Sequence, residues 1–310
     1  MNLRKRQEKG EVMVLTKGKT KTIIPGPREN TVYLETADVL TGGDAAKRES
    51  IAGIGVDKTT QAANVFSLLN RKGLPTAFIE RVSPNRLLCH QCAMFPLELV
   101  ARRYAWGTCL LRHPGYRTQG PPHRFEQPQW EIFHKWSVVT GPHVDEPVQM
   151  PEGEARERYL EDGVWAGGVY TDPYVRVEPG RWCLYPPKED LETARPLMCI
   201  DPVLSAGELD EVVNGILLPA FLTLEEAWQK VDTAYGPVHL VDMKIEIGRR
   251  ADDNRIVIAD VIDNDSWRIW PGGDPSRQLD KQCFRDDHPL SRVAENYTLV
   301  AQLTERFRDL

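Results

Sequence analysis

Apolar residues follow two rhythms along this chain. Over residues 205–228 they recur every three or four positions. Leu209, Val212, Val213, Ile216, Leu217, Ala220, Phe221, Leu224 and Trp228 form one helical stripe. Ser205-Ala-Gly-Glu208 reads as a capping box that opens this helix, and Pro219 should kink it. Residues 289–310 repeat the rhythm, with Val293, Tyr297, Val300, Leu303 and Phe307 inward. Residues 45–72 carry Val56, Ala63, Phe66 and Leu69 at mostly helical spacing, and Pro96 suits the first position of a helix running to Tyr104. Elsewhere the pattern is short and strand-like: 12–15, 21–24, 31–36, 76–82 and 86–92, with turns at Lys17-Gly-Lys19, Pro25-Gly-Pro27 and Ser83-Pro84-Asn85. Strand, turn and strand follow again over 238–247, 249–254 and 255–262.

Between about 113 and 201 the texture changes. Pro and Gly pairs alternate with tryptophans at 130, 136, 165 and 182, which predicts local hairpins and one short helix near 152–160. The whole reads as an α+β chain: a small β-rich front lobe, residues 1–92, and a larger mixed lobe, residues 93–310, with a ligand cleft between them.

Composition narrows the options. With Lys+Arg 39 against Asp+Glu 45, the net charge is −6, a poor balance for binding nucleic acid or a membrane surface. No apolar run approaches the roughly 20 residues of a membrane span, and no apolar segment follows the basic N-terminal residues, so neither an anchor nor a signal peptide is expected and a cytoplasmic location is. Six cysteines make no disulfide framework. Cys89-His-Gln-Cys92 has no second pair to complete a zinc site, and all six thiols are expected to be reduced.

The chemistry concentrates in His239-Leu-Val-Asp-Met-Lys-Ile-Glu-Ile-Gly248. On a strand, Asp242, Lys244 and Glu246 share one face, and Val241, Met243, Ile245 and Ile247 share the other. The returning strand brings Asp260 nearby. A lysine among carboxylates suits a divalent cation with a phosphate, although alternation alone better describes a solvated polar face. A polar run with two tryptophans follows at once, Asp263-Asn-Asp-Ser-Trp-Arg-Ile-Trp270, with Arg268 and Arg285 available for anions. At the front, Gly18-Lys-Thr-Lys21 lacks the earlier glycine of a Walker loop but could lay a lysine-rich turn over phosphates.

Taken together, these segments resemble the SAICAR synthetase family. The resemblance rests on Gly18-Lys-Thr-Lys21, Leu40-Thr-Gly-Gly-Asp44, Pro96-Leu-Glu-Leu-Val-Ala-Arg102-Arg-Tyr-Ala-Trp-Gly107-Thr108, Glu131-Ile-Phe-His-Lys135, Leu240-Val-Asp-Met-Lys-Ile-Glu246, Ile258-Ala-Asp260-Val-Ile-Asp-Asn-Asp265-Ser-Trp-Arg268 and Asp280-Lys-Gln-Cys-Phe-Arg285, in the family's order. It implies a two-lobed, kinase-like fold. It also implies an ATP-dependent ligase that joins an imidazole carboxylate, CAIR, to the amine of L-aspartate through an acyl phosphate. By the same resemblance, Lys19 and Lys21 lie over the ATP phosphates, Glu246 and Asp260 hold Mg²⁺, and Lys244 neutralises the transferring phosphoryl group. Arg102, Thr108 and Arg268 would hold the ribose phosphate, and Asp44, Asp265, Lys281 and Arg285 would line the substrate pocket. The adenine would lie against the backbone from Leu88 to Cys92. Small-molecule substrates and a homo-oligomer are the expected partners. A paralogue acting on a CAIR-like carboxylate in nucleoside-antibiotic biosynthesis, and a non-catalytic nucleotide-binding protein, are the alternatives.

The chain departs from the family pattern at Ile54 and Thr59-Thr60, which stand for charged residues and leave Lys58 to compensate, and at Trp106 in place of a small residue. Trp136-Ser137 stands where acids are usual, and an insertion of about 60 residues follows, over about 136–200. Its aromatic content predicts an ordered, packed segment.

Overall fold

The structure is a computed structural model that describes residues 14–18, 20–42, 47–139, 146, 148–159 and 172–310. The front of the chain builds β1 (Thr16–Lys17), β2 (Lys21–Pro25) and β3 (Thr31–Thr36), a hairpin of β4 (Val39–Gly42) and β5 (Lys47–Ser50), then α1 (Ile54–Arg71), β6 (Phe78–Ser83) and β7 (Arg86–His90). Among the described residues these give a five-stranded sheet in the order β1-β2-β3-β7-β6. The strand expected at 12–15 does not form at Val14 and Leu15, since β1 starts only at Thr16; residues 12 and 13 lie outside the described residues. The helix read over 45–72 begins at Ile54, because Gly53 sits at φ +84° and the chain before it pairs as β5. One face of this sheet, carrying Val32, Leu34, Leu87 and Cys89, joins the core with Ala62, Val65, Phe66 and Leu69 of α1. Ile24, Tyr33 and Leu88 align across three strands on the opposite face.

Next come β8 (Cys92–Met94), β9 (Leu97–Tyr104), α2 (Cys109–Arg112) and the long β10 (Arg124–His134). Residues 97–104 are a strand, not the expected helix. Leu97, Leu99 and Ala101 alternate into the core while Glu98 and Arg102 face away, and β9 is paired on both sides. That period of two overrides the helix-start signal of Pro96.

The inserted segment is folded where it is described. A hairpin of β11 (Trp136–Val139) and β12 (Val148–Pro151) leads to α3 (Glu152–Tyr159), as expected near 152–160. Then β13 (Tyr174–Glu178), β14 (Arg181–Tyr185) and β15 (Met198–Ile200) add three strands to the edge of the second sheet. Trp136 and Trp182 are buried; Trp165 and Tyr170 lie outside the described residues. The expectation of six reduced thiols fails here. Cys183 and Cys199 are bonded because β14 and β15 pair them directly, with Cα atoms 4.1 Å apart. Cys89, Cys92, Cys109 and Cys283 are free.

The capping box at Ser205 forms as read and opens α4 (Ala206–Asp210). A π-helical stretch, Glu211–Leu217, separates it from α5 (Leu218–Gln229). Pro219 stands at the start of α5 just past this widened turn, where a missing N–H is tolerated. The chain ends its sheets with β16 (Asp232–Thr233), β17 (Gly236–Ile245), β18 (Ile247–Arg250), β19 (Ile256–Ile258) and β20 (Trp267–Pro271), then adds α6 (Gln282–Arg285) and α7 (Leu290–Thr304).

Among the described residues the large sheet runs β15-β14-β13-β10-β9-β17-β16, with β20 also on β17, eight strands in all. The strand expected over 238–247 breaks at Glu246. β17 stays in the large sheet, whereas β18 pairs with β8 and β19 in a small separate one. That small sheet links the two larger ones, reinforced by the Ala77 N–H donating to the Ile258 carbonyl at 2.8 Å. Helix α7 lies on α1: Gln61 Nε2 donates to the Tyr297 carbonyl at 2.9 Å, and Asn64 Nδ2 to Thr304 Oγ1 at 3.1 Å. Among the described residues no helix is long and apolar enough to cross a membrane.

Candidate active site

The site grows out of β17. A β-bulge between Leu240 and Asp242 shifts the alternation, so Leu240 joins Met243 and Ile245 in the main core and Val241, expected there, is buried elsewhere. Asp242, Lys244 and Glu246 share the other face. It is no solvated surface: Asp242 is 5% and Glu246 8% exposed.

Glu246 sits at the break between β17 and β18 and meets two lysines, Lys135 Nζ at 2.7 Å and Lys244 Nζ at 3.2 Å. Lys244 also meets Glu98 of β9 at 2.5 Å, and Lys135 lies 3.7 Å from Glu152 of α3. Asp260, just past β19, is ion-paired with Lys21 of β2, so a front-sheet lysine reaches the second half of the molecule. Burial opposes the charge on Glu246, but Lys244 and Lys135, with Lys21 further off, outweigh it and hold the carboxyl well below the usual carboxylate range. Burial likewise opposes the charge on Lys244, and Glu98 and Glu246 overcome it, raising the ammonium well above its ordinary value. Glu246 and Lys244 are therefore charged at neutral pH.

The second group is a buried line of alternating charges. Arg102, Asp242 and Arg268 fall in one register row across β9, β17 and β20. Asp242 Oδ2 accepts from Arg102 Nη1 at 3.2 Å and from Arg268 Nη1 at 2.5 Å. Arg102 also grips Glu131 of β10, which accepts from Arg112 Nη2 at 2.7 Å. Arg102 is thus enclosed between two carboxylates, while the Arg268 side chain is 20% exposed. Gly107 lies against that guanidinium: at φ +59°, a Cβ there would stand 2.8 Å from Arg268 Nη2. Thr108 is exposed next to it and its hydroxyl makes no cap bond to α2. Trp106 stands edge-on to Trp270 at 5.0 Å.

A third cluster surrounds Asp265. Lys58 of α1 lies 2.7 Å away, Lys281 3.4 Å, and Tyr297 donates its hydroxyl at 2.5 Å. Lys58, expected to compensate for lost cations, does reach this group and is 1% exposed. Burial lowers the Lys58 ammonium, but Asp265 and Asp263 prevail and raise it. Arg285, at the end of α6, is exposed and donates to Gln282 Oε1 at 3.3 Å. Leu88 is buried on the face of the front sheet away from α1, and Cys92 pairs with Arg250 where the sheets join. Lys19 and Asp44 lie outside the described residues.

Sequence reasoning missed Glu98, Glu131 and Tyr297 as partners. Glu98 and Glu131 could have been found by reading 97–104 as a strand, which puts Glu98 and Arg102 on one face. Among the described residues no three His, Cys, Asp or Glu side chains cluster as a metal site. Two carboxylates, Glu246 and Asp260, nonetheless fit Mg²⁺, which takes hard oxygen ligands and shares its other positions with water and phosphate.

Solved structures share this fold. A phosphoribosylaminoimidazole-succinocarboxamide synthase from Ehrlichia chaffeensis aligns with TM-score 0.65 at 20% identity, covering 95% of this chain and 99% of that one. A SAICAR synthetase in complex with ADP aligns with TM-score 0.63 at 23% identity, covering 94% and 97%. The fold is thus the α+β fold of SAICAR synthetases. The SAICAR synthetase family profile matches residues 14–154 and 205–303, leaving 155–204 unmatched. The phosphoribosylaminoimidazole-succinocarboxamide synthase of Chloroflexus aggregans is 36% identical over 300 residues, 95% of this chain and 96% of its own. The chain belongs to the SAICAR synthetase family. It is accordingly an enzyme, a ligase of purine biosynthesis.

Proposed function

We propose that the chain joins the carboxylate of CAIR to the amine of L-aspartate, giving SAICAR, ADP and phosphate. The observation that carries this reading is the lysine cage around Glu246 and Asp260, fed by β2, by Lys135 just past β10, and by β17. A carboxylate is a poor electrophile, so its oxygen takes the γ-phosphoryl group of ATP. The aspartate amine then attacks the acyl carbon, phosphate leaves, and the amine's proton passes to solvent or a neighbouring base. Such chemistry asks the protein for positioning and charge neutralisation.

Lys21, with Lys19, supplies charge over the ATP phosphates, and Lys244 neutralises oxygens of the transferring group. Glu246 and Asp260 would hold Mg²⁺, which would offset charge on the ATP phosphates. Adenine would rest near Leu88 to Cys92, between lobes 1–92 and 93–310. Arg268 and Thr108, beside the glycine that lets the backbone come close, bind the ribose phosphate, with Arg102 behind them. Asp265, Lys281 and Arg285 line the remaining pocket, and the family motif assigns Asp44 to it as well. The ADP complex of a family member supports the nucleotide assignment.

The test is ADP release and SAICAR formation by purified enzyme with CAIR, L-aspartate and Mg-ATP. One ADP per SAICAR, with little ADP when aspartate is omitted, is expected. No product from CAIR, with turnover on another heteroaryl carboxylate, would overturn the substrate assignment.

A further inference from the structure

The segment unmatched by the family profile reaches the substrate arginines indirectly. Residues 186–197 connect β14 to β15, and their base is closed by the Cys183–Cys199 bridge and by the Leu197 N–H donating to the Leu184 carbonyl at 2.7 Å. The loop holds Arg112 twice. Arg112 Nη1 donates to the Pro187 carbonyl at 2.8 Å, and the Leu191 N–H donates to the Arg112 carbonyl at 3.1 Å. Arg176 of β13 fixes the same turn through Nη2 to the Leu191 carbonyl at 3.3 Å.

From Arg112 the buried line runs inward: to Glu131 by Nε at 3.1 Å and Nη2 at 2.7 Å, then through Arg102 and Asp242 to Arg268. Side-chain exposure is 0% at Arg112, 6% at Glu131, 5% at Arg102 and 7% at Asp242, but 20% at Arg268. The line is therefore anchored in the inserted loop at one end and opens only at the other. A planar guanidinium has fixed donor directions, so moving Arg112 moves the carboxylate it grips, and each later link inherits the shift.

We propose that the bridged loop 186–197 sets the position of Arg268 for the substrate phosphate, with Arg112 as the positioning residue that transmits it. This rests on the reading above that Arg268 binds the ribotide's phosphate. Neither Arg112 nor the loop touches substrate. Their effect is on the ribotide end of the reaction and leaves ATP binding alone.

Steady-state kinetics on the full chain test this with Arg112→Lys, which keeps charge and loses the fork, and with Cys183→Ala combined with Cys199→Ala, which frees the loop without touching the charged line. Both should raise the KM for CAIR, by about 3- to 30-fold for Arg112→Lys and less for the bridge variant, with the KM for ATP unchanged. In an Arg268→Ala background Arg112→Lys should add nothing, and dephosphorylated CAIR should show no effect of either variant. If Arg268→Ala itself leaves the CAIR KM unchanged, the phosphate-pocket reading fails. If Arg268→Ala raises it while both other variants leave it at wild type, or raise the ATP KM equally, the positioning role is overturned. Should Arg112→Lys not fold, the bridge variant alone decides by the same criteria.

Discussion

Replacing Glu131 by glutamine removes one charge from the middle of the buried line while keeping shape. The carboxylate is 5% exposed and serves two guanidiniums, accepting from Arg112 at 3.1 and 2.7 Å through Oε1 and from Arg102 through Oε2. The substituted amide can accept on one oxygen only, and its NH₂ would face a guanidinium. Arg102 keeps Asp242 and Arg112 keeps the Pro187 carbonyl, so the loss is one uncompensated buried charge with its strong hydrogen bonds. That corresponds to about 3–5 kcal/mol. At roughly 2 °C per kcal/mol for a chain this long, the melting temperature should fall by about 6–10 °C. Urea unfolding followed by tryptophan fluorescence should show the loss as a lower midpoint with unchanged slope.

The pH dependence follows from the same contacts. Burial raises the Glu131 pKa, but Arg102 and Arg112 more than reverse this and leave it below its ordinary 4.5. A lowered carboxyl pKa gives stability that is present above the unfolded value and disappears as pH falls through the folded one. The gap between wild type and variant should therefore be constant from about pH 6 to 8 and close only below about pH 4. A loss under about 1 kcal/mol at neutral pH would refute the argument.

Asp260→Asn should lower kcat at least about a hundredfold with little change in melting temperature, because the carboxylate is partly exposed and its loss would remove the proposed Mg²⁺ ligand rather than packing; near-normal turnover would remove the metal assignment. Trp182→Ala, in a side chain 1% exposed, should cost about 3–5 kcal/mol in urea unfolding, and a loss below about 1 kcal/mol would mean that the inserted strands are not part of the cooperative core. Burial and Glu98, opposed by the hydrogen bond from the Trp136 N–H and by Lys135 and Lys244, push Asp172 from 3.8 up to about 7. The folded chain then holds a proton the unfolded one lacks, and stability should fall as pH rises between those values. Asp172→Asn should flatten that slope and make the chain more stable than wild type at about pH 8, and an unchanged slope would count against it.

Helical stripes were readable because they repeat over many turns: Leu209 to Trp228 and Val293 to Phe307 form as expected. Residues 97–104 were not, since a proline at a plausible helix start competed with an alternation only eight residues long. The bulge at Leu240–Asp242 left no local signal, and Val241 was placed on the wrong face for that reason. Among candidate site residues, Lys244, Glu246 and Asp260 were legible through the polar run that follows them and the family's motifs, since alternation alone also described a solvated polar face. Their partners were not, because Lys21–Asp260 and Lys58–Asp265 join residues 239 and 207 positions apart. The Cys183–Cys199 bond depended on the register of two strands in a segment that the family profile does not match, which spacing alone could not supply.

The seat of α1 on α7 bears on how the chain acquires its structure. Helix α1 makes hydrogen bonds to partners 236 to 244 residues further on, at Tyr297, Thr304, Phe307 and Arg308. During synthesis the front sheet and α1 emerge early, yet α1 must wait for most of the remaining chain before that flank is covered. Contacts so distant in sequence make for slow folding, and an uncovered apolar flank invites association meanwhile. Residues 1–92 expressed alone should therefore be poorly soluble, and supplying residues 286–310 as a separate peptide should improve their recovery.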